Sequence, residues 1–293
     1  SVSVDVPSNR QVLNDGDYVW VGTSGNGVRL YDKRKNTYKS FVFPATEDGR
    51  KQADAFNRSY IWRIVKLRNN KVLSVAGSRI FLTDAATLAT QQLKLYNHSF
   101  LSRSAVQDSA GRIWHGTTAG FTCFDSAFHF LFTVKDSLTD RRAASFCEWK
   151  KDRMLVGSKG LYEVTVQGNR ILSFQKKKAI PFERLIYCMQ QDGYGYIWMG
   201  TDDGIFRYDP VHDKAVHFDA SDHVQPQAFN SDAAFRSKSG IIFMGGKNGV
   251  NFFDPFRYIH QPQKLYPLIA SFSVNGNDSV FFYAAQQHRI PYN

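Results

Sequence analysis

Between Val211 and Val224 the chain reads VHDKAVHFDASDHV, which sets His212, His217 and His223 beside Asp213, Asp219 and Asp222. Imidazoles and carboxylates at this density raise the question of a metal site. Zinc and iron motifs place two histidines at fixed helical or hairpin intervals, such as i and i+4. Here the histidines are five and six residues apart. The stretch is therefore read as solvated turns around an outer strand, and no metal and no cofactor are expected. Asp202 and Asp203 could form an acid–base pair. Adjacent carboxylates in a tight turn project in different directions and stay hydrated, so neither needs a shifted pKa. Gly245-Gly246-Lys247-Asn248-Gly249 has the look of a phosphate cradle, but no helical pattern follows it. There is no Gly-x-Ser-x-Gly nucleophile and no Cys/His pairing. Lys176-Lys177-Lys178 is read as a solvated charge run. No group of residues here is arranged for bond-making, so no catalytic residue is expected in this chain.

What positions these residues is a repeat. The segment Ile197-Trp198-Met199-Gly200 recurs as Val19-Trp20-Val21-Gly22 and Ile113-Trp114-His115-Gly116, with weaker copies ending at Gly77, Gly157 and Gly245. The six glycines are separated by 55, 39, 41, 43 and 45 residues, within the period of a four-stranded propeller blade. After each comes a polar turn, an apolar residue and, four positions on, usually an aspartate: Val28/Asp32, Ile80/Asp84, Phe121/Asp125, Ile205/Asp209 and Val250/Asp254, with Leu161/Thr165 in the fourth copy. The turn varies in length while the apolar-to-aspartate step holds, as expected when a paired strand cannot slip without reversing its faces. The expected fold is all-β: a β-propeller of four-stranded blades, six repeats visible, nearly helix-free. Trp20, Trp114 and Trp198 should occupy equivalent strand positions and fill the space between blades, and the aspartates should hold turns.

Composition agrees. Of the 293 residues 43% are hydrophobic and 15% aromatic, as in a protein of many short strands. No apolar run reaches the length of a membrane span. Cys123, Cys147 and Cys188 form no C-x-x-C pair and are read as small buried hydrophobes. The opening SVSVDVPSNR has neither an initiator Met nor a signal peptide's apolar core, which reads as a mature end or an excised piece. The net charge of +11 favours a polyanionic partner: an acidic glycan, a nucleic acid or a membrane surface. Nucleic acid is disfavoured, because the aromatics recur at blade-packing positions and form no exposed stacking row.

The six repeats lie in residues 10–254; the alternating segment 1–6 reads as a lone strand that either completes the sixth repeat or ends an upstream blade, and the propeller is taken as 1–254. Residues 43–60 are a polar insertion between blades 1 and 2, and loops of that kind often carry binding residues. Residues 255–267 read as a linker. Residues 268–293 read as an incomplete module that opens with a hairpin turning at Asn275-Gly276.

The repeat DGYGYIWMGTDDGIFRYDP resembles the two-component regulator propeller repeat, as do GRIWHGTTAGFTCFD and YVWVGTSGNGVRLYD. SGIIFMGGKNGVNFFDP resembles the last repeat of such propellers, and YPLIASFSVNGNDSV is similar to the opening of the Ig-like Y_Y_Y domain that follows them. The resemblance implies a periplasmic sensor region of a hybrid two-component system, anchored in the inner membrane, detecting carbohydrate and controlling glycan-degrading genes. It also implies two seven-bladed rings, where six repeats are visible here, and a kinase elsewhere in the parent protein. It leaves room for a homodimer.

In a propeller, the segments leading into each innermost strand and the turns joining second to third strands gather on one face. The first set carries Arg58, Tyr60, Trp62, Arg63, His98, Arg103, Arg141, Arg142, Arg184, Gln227 and Asn230; the second adds Arg79, Lys159, Asp202 and Lys247. Arginine forks grip carboxylate or sulfate, and Trp or Tyr faces stack on sugar rings. The ligand expected on this face is an oligosaccharide, with the charge favouring an acidic one. Two alternatives differ in kind: a non-catalytic interaction or dimerisation scaffold, and a propeller lyase or glycosidase. The latter needs paired carboxylates, or a Tyr or His base, at the channel mouth. Fold alone does not separate them.

Overall fold

The computed structural model of the chain describes residues 9–94, 101–135, 142–180, 184–225, 227–259, 273–274 and 277–278. It divides into two compact units, Ser1–Pro255 and Phe256–Asn293. The first is an all-β propeller of six antiparallel sheets. Blade 1 comprises β1 (Asn9–Asp15), β2 (Tyr18–Thr23), β3 (Val28–Asp32) and β4 (Thr37–Lys39). An α-helix, α1 (Glu47–Asn57), leads to blade 2: β5 (Arg63–Lys66), β6 (Lys71–Ala76), β7 (Arg79–Asp84) and β8 (Thr90–Leu93). Blade 3 is β9 (Ser102–Gln107), β10 (Ile113–Thr117), β11 (Gly120–Phe124) and β12 (Phe130–Lys135). Blade 4 is β13 (Ser145–Lys150), β14 (Arg153–Ser158), β15 (Gly160–Gln167) and β16 (Arg170–Lys176). Blade 5 is β17 (Cys188–Gln191), β18 (Ile197–Gly200), β19 (Ile205–Asp209) and β20 (Lys214–Phe218). Blade 6 has three strands among the described residues: β21 (Phe229–Arg236), β22 (Ile242–Gly246) and β23 (Gly249–Phe253). A five-residue helix, α2 (Pro255–Ile259), follows. In the second unit, Ser273–Val274 pairs antiparallel with Asn277–Asp278. Segment 1–6 and the Asn275-Gly276 turn lie outside the described residues.

The blades pack by one rule. Trp20, Trp114 and Trp198 stand at the same register place in second strands and are all buried, each facing the following blade. Trp20 meets Ile61 and Ile64, Trp114 meets Ala143 and Phe146, and Trp198 meets Phe229, Ile242 and Met244. Leu73 and Leu155 hold this place in blades 2 and 4 and pack on blades 3 and 5. The glycine two residues on makes room for the next blade. A Cβ on Gly200 would meet Phe229 at 2.7 Å, and one on Gly22 would meet Ile61 at 2.8 Å. In blade 2 that register place belongs to Val75, paired with Ile80, and not to Gly77 as the repeat alignment suggested; Gly77 sits in the turn. Blade 6 ends the series. Its Trp-equivalent Phe243 is part of an exposed face with Phe235, Val250 and Phe252, and Gly245 meets only Ala233 of its own blade.

The aspartates hold turns, as their spacing predicts. Asp32 accepts from the N–H groups of Arg34 and Lys35, Asp84 from Ala86 and Thr87, Asp125 from Ala127 and His129, and Asp209 from Val211 and His212. The N–H of Lys35 is the main cause holding the Asp32 carboxyl below the usual carboxylate range, and that of Thr87 does the same for Asp84. The insertion between blades 1 and 2, expected as a polar loop, contains a helix. Thr46 caps α1 by accepting the Gly49 N–H, Glu47 and Asp48 complement its first turn, and Phe56 anchors it, fully buried against Phe41, Phe43 and Phe81.

Candidate functional site

One face of the ring is knitted together by main-chain hydrogen bonds between neighbouring blades. In blades 1 to 5 the end of the second strand, or the turn just after it, offers a carbonyl to the segment leading into the next blade. Ile61 N–H donates to Thr23 O, Ser102 to Gly77 O, Ala143 to Thr117 O, Ile186 to Ser158 O and Phe229 to Thr201 O, over 2.8–3.1 Å. This explains the Gly-Thr pair of the repeat. The hydroxyls of Thr23, Thr117 and Thr201 close their own turns onto Gly27, Gly120 and Gly204 carbonyls, which fixes the carbonyls that receive the next blade. Side chains presented here stand on rigid main chain.

The predicted site residues divide by what they touch. Arg103 lies over the Trp62 ring, its guanidinium carbon 4.2 Å from the centroid, so the indole face expected to stack on sugar is covered by arginine in this state. Arg63 Nε donates to Ala105 O and lies 3.7 Å from the Asp232 carboxylate, which crosses the channel from blade 6. Arg184 is paired with Asp203 at 2.7 Å, in an ion pair whose two side chains stay half-exposed in the turn. Arg142 bridges to Gly120 and Lys159 to Leu185 through main chain. Asn230 is exposed at the start of β21, and the Lys247 N–H donates to Ala228 O. His98 and Arg141 lie outside the described residues.

Asp232 carried no signal in the sequence. It sits at a register shift in β21 with φ of 55°, a left-handed conformation that pushes its side chain out of the strand. Its N–H donates to Tyr187 O, and its carboxyl, 11% exposed, faces Arg63. Burial pushes its pKa up, against the opposing charge of Arg63 and a hydrogen bond from Ser104.

Arg58 and Tyr60 belong to a cavity of about 550 Å³ on the same face. The C-terminal half of α1 forms one wall with Lys51, Asp54 and Arg58. The β6–β7 turn, Gly77 to Arg79, forms the other, and Leu101 at the start of blade 3 closes it. Tyr60, 56% exposed, is the aromatic surface in the cavity. Arg58 pairs with Asp54 at 3.0 Å and Lys51 with Glu47 at 2.7 Å. Lys51 and Asp54 escaped the sequence reading because α1 did. Their readable signal was the i, i+4 spacing of Glu47 to Lys51 and Asp54 to Arg58. A second cavity, about 470 Å³, lies at the other end of the blade 2 strands, beside Val42, Phe43 and Thr87.

Other sequence candidates settle as structure. His212 bonds Asp209 within a turn, and His217 stacks on Phe206. No group of three or more His, Cys, Asp or Glu among the described residues is placed to hold a metal. Lys177 departs from the solvated run expected: it reaches the buried Glu163, which also takes Trp149 and Arg153. Cys123 and Cys188 are fully buried in strands, Cys147 partly, and burial pushes the thiols of Cys147 and Cys188 up to about 12. No helix of the described residues is long and apolar enough to cross a membrane.

Residues 182–203, which take in the first two strands of blade 5, match the family profile described as two component regulator propeller. No curated protein sequence matches the chain. Among solved structures, it is similar to the extracellular domain of BT3049 from B. thetaiotaomicron, described as a hybrid two component system. The TM-score is 0.74 and the identity 21%, over 93% of this chain and 38% of that one. The extracellular domain of BT4673 from the same organism gives 0.64 and 16%, over 86% and 33%. A computationally designed protein, Ika8, gives 0.59 and 12%, over 84% and 70%. This chain spans about a third of each of the two bacterial extracellular domains. At these identities the likeness is one of fold.

Proposed function

We propose that this chain is the ligand-sensing propeller of an extracellular, periplasmic sensor region in a hybrid two-component system. In this reading it detects an oligosaccharide and relays occupancy to a kinase elsewhere in a membrane-anchored parent protein. Residues 255–267 then serve as the linker to a Y_Y_Y module beginning at 268. The observation that carries the reading is the gathering of arginines, Tyr60 and a sugar-sized cavity on the one face that neighbouring blades hold rigid by main-chain bonds. The profile match in blade 5 and the fold shared with two extracellular sensor domains support it. A lyase or glycosidase is disfavoured by the geometry of the channel. Its buried carboxylate, Asp232, is matched with Arg63 and not with a second acid. Calorimetry of the chain against a panel of neutral and acidic oligosaccharides tests the proposal. Binding of one class, without turnover of the sugar, is the expected result, and binding of none overturns it.

The exposed apolar face of blade 6 favours a second reading, an interaction scaffold. Sedimentation of the chain over a range of concentrations distinguishes the two. A dimer that persists without sugar, together with no glycan binding, replaces the first reading by the second.

A further inference from the structure

Five of the six repeats place a glycine immediately before the first apolar residue of the third strand: Gly27, Gly120, Gly160, Gly204 and Gly249. All five have positive φ, and a Cβ on Gly27, Gly120 or Gly204 would run into main-chain oxygen. Blade 2 alone has a side chain there, Arg79, made possible by a tight turn through Gly77 and Ser78. The exception falls where the cavity lies. Arg79 lines it opposite Arg58, and among the described residues no hydrogen bond or ion pair engages its guanidinium. The neighbouring cations differ, since Arg58 is matched by Asp54 and Lys51 by Glu47. The cavity therefore holds one guanidinium without a counter-charge beside one exposed aromatic ring, Tyr60.

We infer that this cavity is a subsite for one anionic sugar unit, whose ring lies on Tyr60 while its carboxylate or sulfate is gripped by Arg79. The C–H groups of a pyranose face fit against an aromatic ring, whose face carries the negative end of its quadrupole. A planar guanidinium takes either anion through two parallel N–H donors. The C-terminal end of α1 faces this anion, and its partial negative charge would oppose binding. That end is capped, with the Arg58 N–H on Asp54 O and the Ser59 hydroxyl on Ala55 O, which removes two of its open carbonyls. Specificity for charge thus rests on Arg79. The inference rests on the reading of this face as glycan-binding and narrows it to a location and a ligand class.

The test is calorimetry of the 293-residue chain with three probes: an oligogalacturonide trimer, a sulfated chondroitin disaccharide and neutral maltotriose. At least one anionic probe should bind, with affinity falling as salt rises, and maltotriose should bind about tenfold more weakly or not at all. Arg79→Ala should weaken the anionic probe about tenfold or more, the effect expected when a charge-assisted contact is lost. Tyr60→Ala should also abolish binding. Arg34→Ala, in the β3–β4 turn and paired there with Asp17, should change it less than twofold. Between the two anionic probes, the tighter one identifies carboxylate or sulfate. An anionic probe that binds equally well to Arg79→Ala overturns the subsite. Maltotriose binding that is lost in Tyr60→Ala but kept in Arg79→Ala overturns the anionic class while leaving the glycan reading standing. Failure of all three probes to bind removes the subsite, and the wider glycan panel then decides the general reading by itself.

Discussion

In blade 5 the Trp198 indole donates to Asp192 Oδ2 at 2.9 Å, and in blade 3 Trp114 donates to Asp108 Oδ2 at 2.8 Å. In blade 1, Trp20 is as deeply buried and its Nε1 has no acceptor. The three strands share one register. Leu13, Val106 and Gln190 pair with the three tryptophans, and two residues on stand Asp15, Asp108 and Asp192. What differs is the hairpin. In blades 3 and 5 a three-residue loop with a left-handed glycine, Gly111 or Gly195, joins the strands, and the aspartate folds over it. One oxygen then takes loop N–H groups, from Ala110 and Arg112 or from Tyr194 and Tyr196, and the other takes the indole. Blade 1 turns through Gly16 and Asp17 alone, and Asp15 goes instead to Lys66 of the next blade at 2.6 Å. One residue of loop length decides whether a buried tryptophan is satisfied.

The largest effect should come from removing the satisfied carboxylate. Asp108 holds Trp114, two loop N–H groups and the buried Arg112 at 2.6 Å. Asp108→Ala strands the indole, the two loop N–H groups and the Arg112 Nε, leaving the guanidinium its bonds to Asp152 and Gly168 O; removing one partner of a buried charge pair costs about 3–5 kcal/mol. Denaturant unfolding should show a loss of that order. A loss below about 1 kcal/mol would mean that the Asp–Trp bond does not hold the blade together. The sharper test compares two tryptophans. Trp198→Phe leaves the Asp192 oxygen without its donor, whereas Trp20→Phe deletes an N–H that already has no partner. The loss of ring volume is common to both, so Trp198→Phe should cost about 1–3 kcal/mol more, the penalty of an unmatched buried polar group. Equal costs would show that Trp20 has its own acceptor in solution.

The repeat, the tryptophan register and the turn aspartates were legible because each depends on residues close in the chain and recurs several times. The contacts that define the channel were not. Arg63 with Asp232 and Arg103 with Trp62 join different blades, and nothing local foretells which side chains meet across a ring. The helix was hidden for another reason. Phe56 is its one buried apolar side chain, so residues 47–57 carry no apolar stripe of helical period, and only the Thr46 cap and the i, i+4 charge pairs Glu47/Lys51 and Asp54/Arg58 signalled it. The misplaced Gly77 has the same origin. A glycine needed for a turn and a glycine needed for close packing are one letter, and only the pairing of Val75 with Ile80 distinguishes them.

A smaller effect should follow from lengthening the blade 1 hairpin. Inserting one glycine between Asp17 and Tyr18 turns DGDY into DGDGY, matching the DGYGY of blade 5. Asp15 could then fold over the loop and reach Trp20. It would give up an ion pair with Lys66 that is about a quarter exposed and worth about 1 kcal/mol or less. In exchange it would satisfy a buried N–H, so a net gain of about 1 kcal/mol is expected. Combining the insertion with Trp20→Phe should erase the gain. If it does not, the stabilisation comes from the turn and not from the indole.

The smallest effect concerns a further buried polar atom without a hydrogen bond, Asp232 Oδ2. Desolvation raises this carboxyl's pKa above its ordinary 3.8, while Arg63 and Ser104 only partly oppose the shift. A group whose pKa is raised on folding binds more protons in the folded state over the window between the two values. Stability therefore falls as pH rises through that window, and the deficit persists above it. Asp32 and Asp84 act in the opposite sense. Their lowered values contribute stability above 3.8 that is lost as the pH falls. Thermal melts of the wild type combine the two trends, so a variant is needed to isolate Asp232. Asn tolerates the left-handed backbone at 232 and mimics the protonated carboxyl in shape. Asp232→Asn should melt with the wild type below pH 3.8, and at a higher temperature than the wild type near neutrality. A variant that is instead less stable near neutrality, by an amount that grows with pH, would show that Arg63 compensates the buried charge in full. Asp232 would then be satisfied in the way Asp108 is, and not stranded as Trp20 is.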